Sequence, residues 1–175
     1  MLTKVAVRGL VIPFGHKVEE LISNCQARGV NLRVIYGTRH PRVQAALWAQ
    51  SRSEEEISTA IATLSDKAPT IVQYIKEAEP LCGRWATNLL PGQSWHQWGE
   101  AVDCCILNTV GQAVWASQHP GYSIYAEEAI RLGLTSGALW RSKDSVHVQM
   151  RKESVRDIFS WEKIDSAMKS QFCFS

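Results

Sequence analysis

The sequence predicts an α+β fold in which helices flank a small, mainly antiparallel sheet. Two stretches, Asn31–Tyr36 and Ser145–Gln149, place apolar side chains at every second position, as a half-buried strand does. Between and around them, apolar residues recur every three or four positions, the spacing of amphipathic helices. The run Asn108-Thr109-Val110-Gly111 reads as a hairpin turn, which joins antiparallel neighbours. With 175 residues, 45% of them apolar, the chain is expected to form one domain with a sizeable core.

Taken in order, residues 1 to 15 read as an irregular arm or short strand, its apolar Leu10-Val11-Ile12 cut by Pro13. Val18, Leu21, Ile22 and Cys25 then fall at helical spacing, with Gly29 as the stop. In the strand 31–36, Leu32, Val34 and Tyr36 oppose Asn31, Arg33 and Ile35. Pro41 suits the first position of a helix that turns Val43, Ala46 and Leu47 inward. Ser53-Glu54-Glu55-Glu56 is a capping box, opening a helix with Ile57, Ala60, Ile61 and Leu64 on one face. A second helix gathers Ile71, Tyr74, Ile75 and Ala78, so 53–80 reads as a helical hairpin inserted beside the sheet. It serves either as extra packing or as one wall of a cleft.

After a loop, Ala101, Asp103 and Cys105 share one strand face, opposite Val102 and Cys104, and the hairpin returns through Gln112–Trp115. A helix over 122–132 sets Ala126, Ala129, Ile130 and Gly133 in register, and 133–137 is loop. Val146 and Val148 face one side of the next strand, His147 and Gln149 the other. Val155, Ile158, Phe159, Trp161, Ile164 and Met168 predict one C-terminal helix packed on the sheet.

Composition excludes several functions. A net charge of +2, with no basic run interleaved with aromatics, gives no nucleic-acid site. No stretch is long enough to insert into a membrane or serve as a signal peptide, so synthesis in the cytoplasm is expected. Five cysteines (Cys25, Cys82, Cys104, Cys105 and Cys173) form neither a C-x-x-C pair nor an even framework, and read as reduced thiols.

Chemistry concentrates in Ser94-Trp95-His96-Gln97-Trp98-Gly99-Glu100-Ala101-Val102-Asp103. His96 and Asp103 offer an imidazole and a carboxylate, both good ligands for zinc. His147 in Asp144-Ser145-Val146-His147 completes a His-Asp-His set, leaving Asp144 as a base. One histidine and one aspartate at this spacing also arise by chance as surface groups. The full pattern S-x-H-x-x-G-x-A-x-D, followed later by D-x-x-H, resembles the zinc D-Ala-D-Ala carboxypeptidases and L-alanyl-D-glutamate endopeptidases of peptidoglycan. The phage endolysin branch is the most similar, through Pro91-Gly92-Gln93-Ser94 and the Gln44–Gln50 helix. The resemblance spans most of residues 30 to 150.

That resemblance implies a hedgehog/D-Ala-D-Ala-peptidase-like fold with one zinc ion on His96, Asp103 and His147. It makes Asp144 the general base, and Arg39 the group that binds a substrate carboxylate or stabilises the oxyanion. Read alone, Arg39 is a surface arginine at a turn. Ser94 and Gln44 become substrate-binding candidates, although Ser94 also reads as a turn residue bonding its own backbone. Gln149 is a candidate partner of a metal ligand, and Trp95, Trp98 and Trp140 either line the cleft or pack. Trp140 lies one residue closer to the Asp-x-x-His run than in the endolysins. The implied function is endopeptidase cleavage of the peptidoglycan stem peptide by a monomer that reaches the wall after release, as a phage-encoded lysin does. The alternatives are a D-Ala-D-Ala carboxypeptidase or dipeptidase, and a zinc-stabilised binding module without catalysis, against which Asp144 argues.

Overall fold

Residues 9–50, 52–79, 83–84 and 86–172 are described by a computed structural model. Cys82 and Cys173, with the first part of the expected N-terminal arm, lie outside them. By its internal contacts the chain divides into two units. One is the chain up to Thr38 with Trp98–Lys152; the other is Arg39–Gln97 with the chain from Glu153 onward.

The first unit holds the sheet. Its strands are β1 (Asn31–Tyr36), β2 (Ala101–Leu107), β3 (Ala113–Val114), β4 (Thr135–Ser136) and β5 (His147–Gln149). They run in the order β1-β2-β5-β4, all neighbours antiparallel, with β3 also paired to β2. Helices α1 (Ile12–Ala27) and α5 (Pro120–Arg131) pack on each other. Phe14, Val18, Leu21 and Cys25 of α1, with Tyr122, Tyr125 and Ala129 of α5, form one core with Val102, Cys104, Ile106 and Val148. Those sheet residues alternate along their strands, so one face is apolar and the other is left for Asp103 and His147.

Three expectations for this unit need correction. Pro13 does not cut the chain; it stands in the first turn of α1, where a missing N–H costs no intrahelical bond. Thr135–Ser136 is a strand rather than loop, because it pairs with Gln149 and Val148. Helix α5 starts at Pro120, capped by His119 Nδ1 accepting from the Gly121 N–H at 3.1 Å, and Ile130 is 49% exposed while Tyr122 and Tyr125 are buried. The helix stop at Gly29 holds: Val30 N–H donates to Cys25 O at 2.9 Å and Gly29 N–H to Gln26 O at 3.0 Å, a paired closure of the last turn.

The second unit is helical: α2 (Pro41–Ala49), α3 (Glu54–Leu64), α4 (Pro69–Lys76), α6 (Val155–Ile158) and α7 (Trp161–Phe172). Ser53 and Glu56 close the expected capping box. Leu64 of α3 is buried, and Ile71, Tyr74 and Ile75 of α4 point inward as predicted. Helix α4 packs on α2, α3 and α7. Its N-terminus lacks a local cap; instead the buried Asp165 of α7 accepts from Ile71 N–H at 2.9 Å, which suits both the orphan donor and the helix dipole. The single C-terminal helix is in fact two, interrupted by the extended Phe159, and α7 lies on α4. In α2 the buried face is Gln44, Ala45, Trp48 and Ala49, with Val43 exposed. Apolar periodicity misjudges this helix because its largest fully buried side chain is an amide. No described helix is long and apolar enough to cross a membrane.

Two predictions follow from this packing. His40 caps α2 by accepting the Arg42 N–H on Nδ1 at 3.1 Å, between the rings of Tyr74 and Phe172. Burial, reinforced by the Arg42 charge, holds its pKa below the ordinary 6.5. The neutral ring's contribution to stability is therefore complete above pH 6.5 and is lost as pH falls through the lowered folded value. His40→Asn, which caps without titrating, should flatten the dependence of Tm on pH between 7.5 and 5 relative to wild type. Burial pushes the Cys25 and Cys104 thiols up to about 12, so neither should react with iodoacetamide at pH 8 until the protein is unfolded. Mass spectrometry of the alkylated native protein checks this.

Candidate metal centre

The register of β2 against β5 sets Asp103 directly opposite His147. On β1 the pairing slips between Val34 and Tyr36, and Tyr36 then faces Asp103, a bulge beside the carboxylate of the kind that re-aims side chains at sites. His147 Nδ1 lies 3.0 Å from Asp103 Oδ1, and its Nε2 lies 3.0 Å from Gln149 Oε1. Gln149 in turn donates from Nε2 to Arg151 O at 2.7 Å. Both strands are pinned beyond the pair: Met150 N–H donates to Glu100 O at 2.9 Å, and Arg151 forms a two-pronged ion pair with Glu100. The half-exposed Trp140 ring packs 5.0 Å from the His147 ring, whereas Trp95 is buried and donates from Nε1 to Glu153 O.

Asp144 is held by main chain. Its N–H donates to Gly137 O at 2.9 Å, and its own carbonyl accepts from His147 N–H at 3.2 Å. Its side chain is on the exposed part of the loop. Gly137 is packed so tightly that a Cβ there would stand 2.6 Å from Asp144 O and 3.2 Å from His147 Cβ. Sequence reading passes over Gly137 as loop, since a close approach leaves no local signal.

His96 sits on a short 3-10 turn, Trp95–Trp98, and is 2% exposed. Ser94 caps this turn: its Oγ accepts from His96 N–H at 3.4 Å and its carbonyl from Gln97 N–H at 2.9 Å. The fully buried Gln97 accepts on Oε1 from Gly92 and Ser94 N–H at 3.0 and 3.2 Å, and donates to Gln44 Oε1 at 3.2 Å. Gln44 Oε1 also accepts from the Arg39 guanidinium at 3.1 Å, while its Nε2 donates to Leu89 O. Arg39 N–H donates to His96 O at 3.1 Å. The expectation that Gln44 touches substrate is corrected: it is 0% exposed, with both amide atoms committed inside the protein. Ser94, 5% exposed, shapes the His96 turn. Gln97 escaped the sequence reading, because a buried amide at a position the motif leaves unspecified carries no periodic signal. Gly99, the glycine of the motif, has φ +68° and lies so near Gly9 that a Cβ would meet Gly9 O at 2.6 Å.

Asp103 and His147 present Oδ1 and Nδ1 3.0 Å apart on the sheet, and His96 is the other ligand residue that the motif supplies. Metal bonds of about 2.0–2.1 Å put tetrahedral donors roughly 3.3 Å apart, near the 3.0 Å between His147 Nδ1 and Asp103 Oδ1. Two imidazoles and one carboxylate form a donor set that suits zinc and leaves a fourth position for water. The residues present therefore fit one zinc ion. Gly137→Ala should push the Asp144 loop away from the strand that carries His147. A loss of about 1–3 kcal/mol in chemical denaturation, together with weaker zinc binding in a chelator competition, is the expected result.

Comparison with known proteins gives the context for this geometry. A search of curated protein sequences found no match. Among solved structures, the L-Ala D-Glu endopeptidase ChiX of Serratia marcescens is similar at 18% identity and TM-score 0.47, over 90% of each chain. A vancomycin-resistance D,D-pentapeptidase VanY from a VanB-type cassette, solved as a point variant with Zn(II), is similar at 21% identity and TM-score 0.48, over 89% of this chain and 83% of that one. An L,D-carboxypeptidase, DacB of Streptococcus pneumonia, is similar at 14% identity and TM-score 0.37, over 93% and 73%. The family model described as VanY, D-alanyl-D-alanine carboxypeptidase, matches residues 14–119, a span that takes in His96 and Asp103. The chain thus belongs to the VanY D-alanyl-D-alanine carboxypeptidase family, zinc peptidases that act on peptidoglycan.

Proposed function

We propose that this chain is a zinc-dependent L-alanyl-D-glutamate endopeptidase of peptidoglycan stem peptides. The observation that carries the peptidase reading is the pairing of Asp103 with His147 across β2 and β5, beside a loop that holds Asp144 three residues before His147. His96, Asp103 and His147 would hold the zinc, which when bound would supply Lewis-acid chemistry at the scissile carbonyl and lower the pKa of water to about 7. The Asp144 carboxylate takes the proton of the attacking water on one oxygen and returns it to the departing amine nitrogen. Arg39 holds a substrate carboxylate or the developing oxyanion, its fork kept in place by Gln44. His147 and Asp103 stay put during the reaction because they project from paired strands rather than loops.

The choice of the L-Ala–D-Glu bond rests on the resemblance of the Pro91-Gly92-Gln93-Ser94 approach and the Gln44 helix to endolysins. The description of the matching family model favours the second reading, release of a terminal D-alanine. Digesting purified peptidoglycan with the zinc-loaded protein and weighing the fragments by mass spectrometry separates the two. New N-terminal D-glutamate is the expected product, whereas loss of D-alanine alone would transfer the chain to the carboxypeptidases. Asp144→Ala should lower turnover by about 10²–10⁴-fold, the range of a lost general base, with zinc still bound. An Asp144→Ala protein of full activity would contradict the assignment of the base.

A further inference from the structure

The Gln149 side chain makes two contacts that together orient a metal ligand. Its Nε2 donates to the Arg151 carbonyl at 2.7 Å, and its Oε1 faces His147 Nε2 at 3.0 Å. The amide orientation is decided by the first contact, because a carbonyl oxygen accepts and cannot face Oε1. The Arg151 end is itself held, since the Arg151 side chain is paired to Glu100. Gln149 is 6% exposed and His147 is 7% exposed, so bulk water does not compete freely at this contact.

An amide oxygen only accepts, so the imidazole nitrogen it faces carries a proton. In the neutral ring the lone pair then belongs to Nδ1, the atom 3.0 Å from Asp103 Oδ1. Nδ1 and Asp103 Oδ1 thus stand side by side on one face of the sheet, as two ligand atoms of one ion do. Strand geometry makes the arrangement reproducible: His147 and Gln149 are two residues apart on β5 and share a face.

We propose that Gln149 is a positioning residue that fixes the His147 tautomer, presenting Nδ1 as the metal-binding nitrogen. This rests on the zinc reading above. Its physical effect is to remove the competing tautomer and to hold the orientation of the ring. Arg151, through its main-chain oxygen, is the anchor of that arrangement.

The test compares wild type with Gln149→Met, which keeps the volume and loses the acceptor. Zinc affinity is read by competition with a chromophoric chelator, and the His147 tautomer by ¹⁵N NMR of the zinc-loaded protein. Gln149→Met should weaken zinc binding about 10- to 100-fold. Wild-type spectra should show a protonated Nε2 and a metal-bound Nδ1. Zinc bound through Nε2, or an unchanged affinity in Gln149→Met, would overturn the assignment while leaving the peptidase reading intact. If Gln149→Met does not fold, the wild-type spectrum decides alone. Wild-type protein that binds no zinc would overturn both.

Discussion

The pairing of β2 with β5 is the constraint on which the rest of the centre depends. It puts Asp103 and His147 opposite one another, and side chains alternate strictly between faces along each strand. A slip of one residue would turn His147 toward the helices and bring a valine into its place. The slip is opposed from the other face, where Val102, Cys104, Ile106 and Val148 are locked among the residues of α1 and α5. Apolar packing on one side of the sheet thereby sets polar geometry on the other. Cys104 N–H to Val146 O and Met150 N–H to Glu100 O extend the same ladder, and the Glu100–Arg151 pair closes its end.

A different kind of order holds the segment of His96. It lies on a short 3-10 turn held by a chain of amides. Gln97 satisfies two backbone donors of the Gly92–Ser94 turn and passes on to Gln44, which accepts from Arg39 and donates to Leu89. Buried amides are costly when unmatched and rigid when fully matched. Here the atoms are matched, so the turn, the arginine and helix α2 are ordered together. The two glutamines do their work inside the protein, and Arg39 is the member of the network with the charge to meet an anionic or carbonyl oxygen.

Helix ends in this protein are handled in two ways. Some are local: Ser53 and Glu56 at α3, His40 at α2, His119 at α5, each capping within three residues of sequence. Others are reached from afar, as when Asp165 of α7 accepts from the first turn of α4 across 94 positions. The distant cap couples α4 to α7, so the helical unit is stabilised as a set rather than helix by helix. The buried thiols belong to the same economy of space, filling the core as small apolar groups.

Sequence alone determined what short-range chemistry determines. Period-two alternation placed β1 and β5, the Asn108–Gly111 run placed the β2–β3 turn, and Ser53–Glu56 placed the start of α3. The motif residues His96, Asp103 and His147 were named from ligand type, spacing and the resemblance of the motif to a zinc peptidase family. Tertiary structure decided what depends on distant partners. Thr135–Ser136 becomes a strand only because β5 lies beside it. Gln44 turns from a substrate contact into a buried brace because Gln97 and Leu89 meet it. The C-terminal helix lies on α4 because Ile164 and Met168 fill space beside Ile71 and the bare backbone of Gly92. Periodicity reports which side of an element is apolar, but it does not report what another part of the chain will put there.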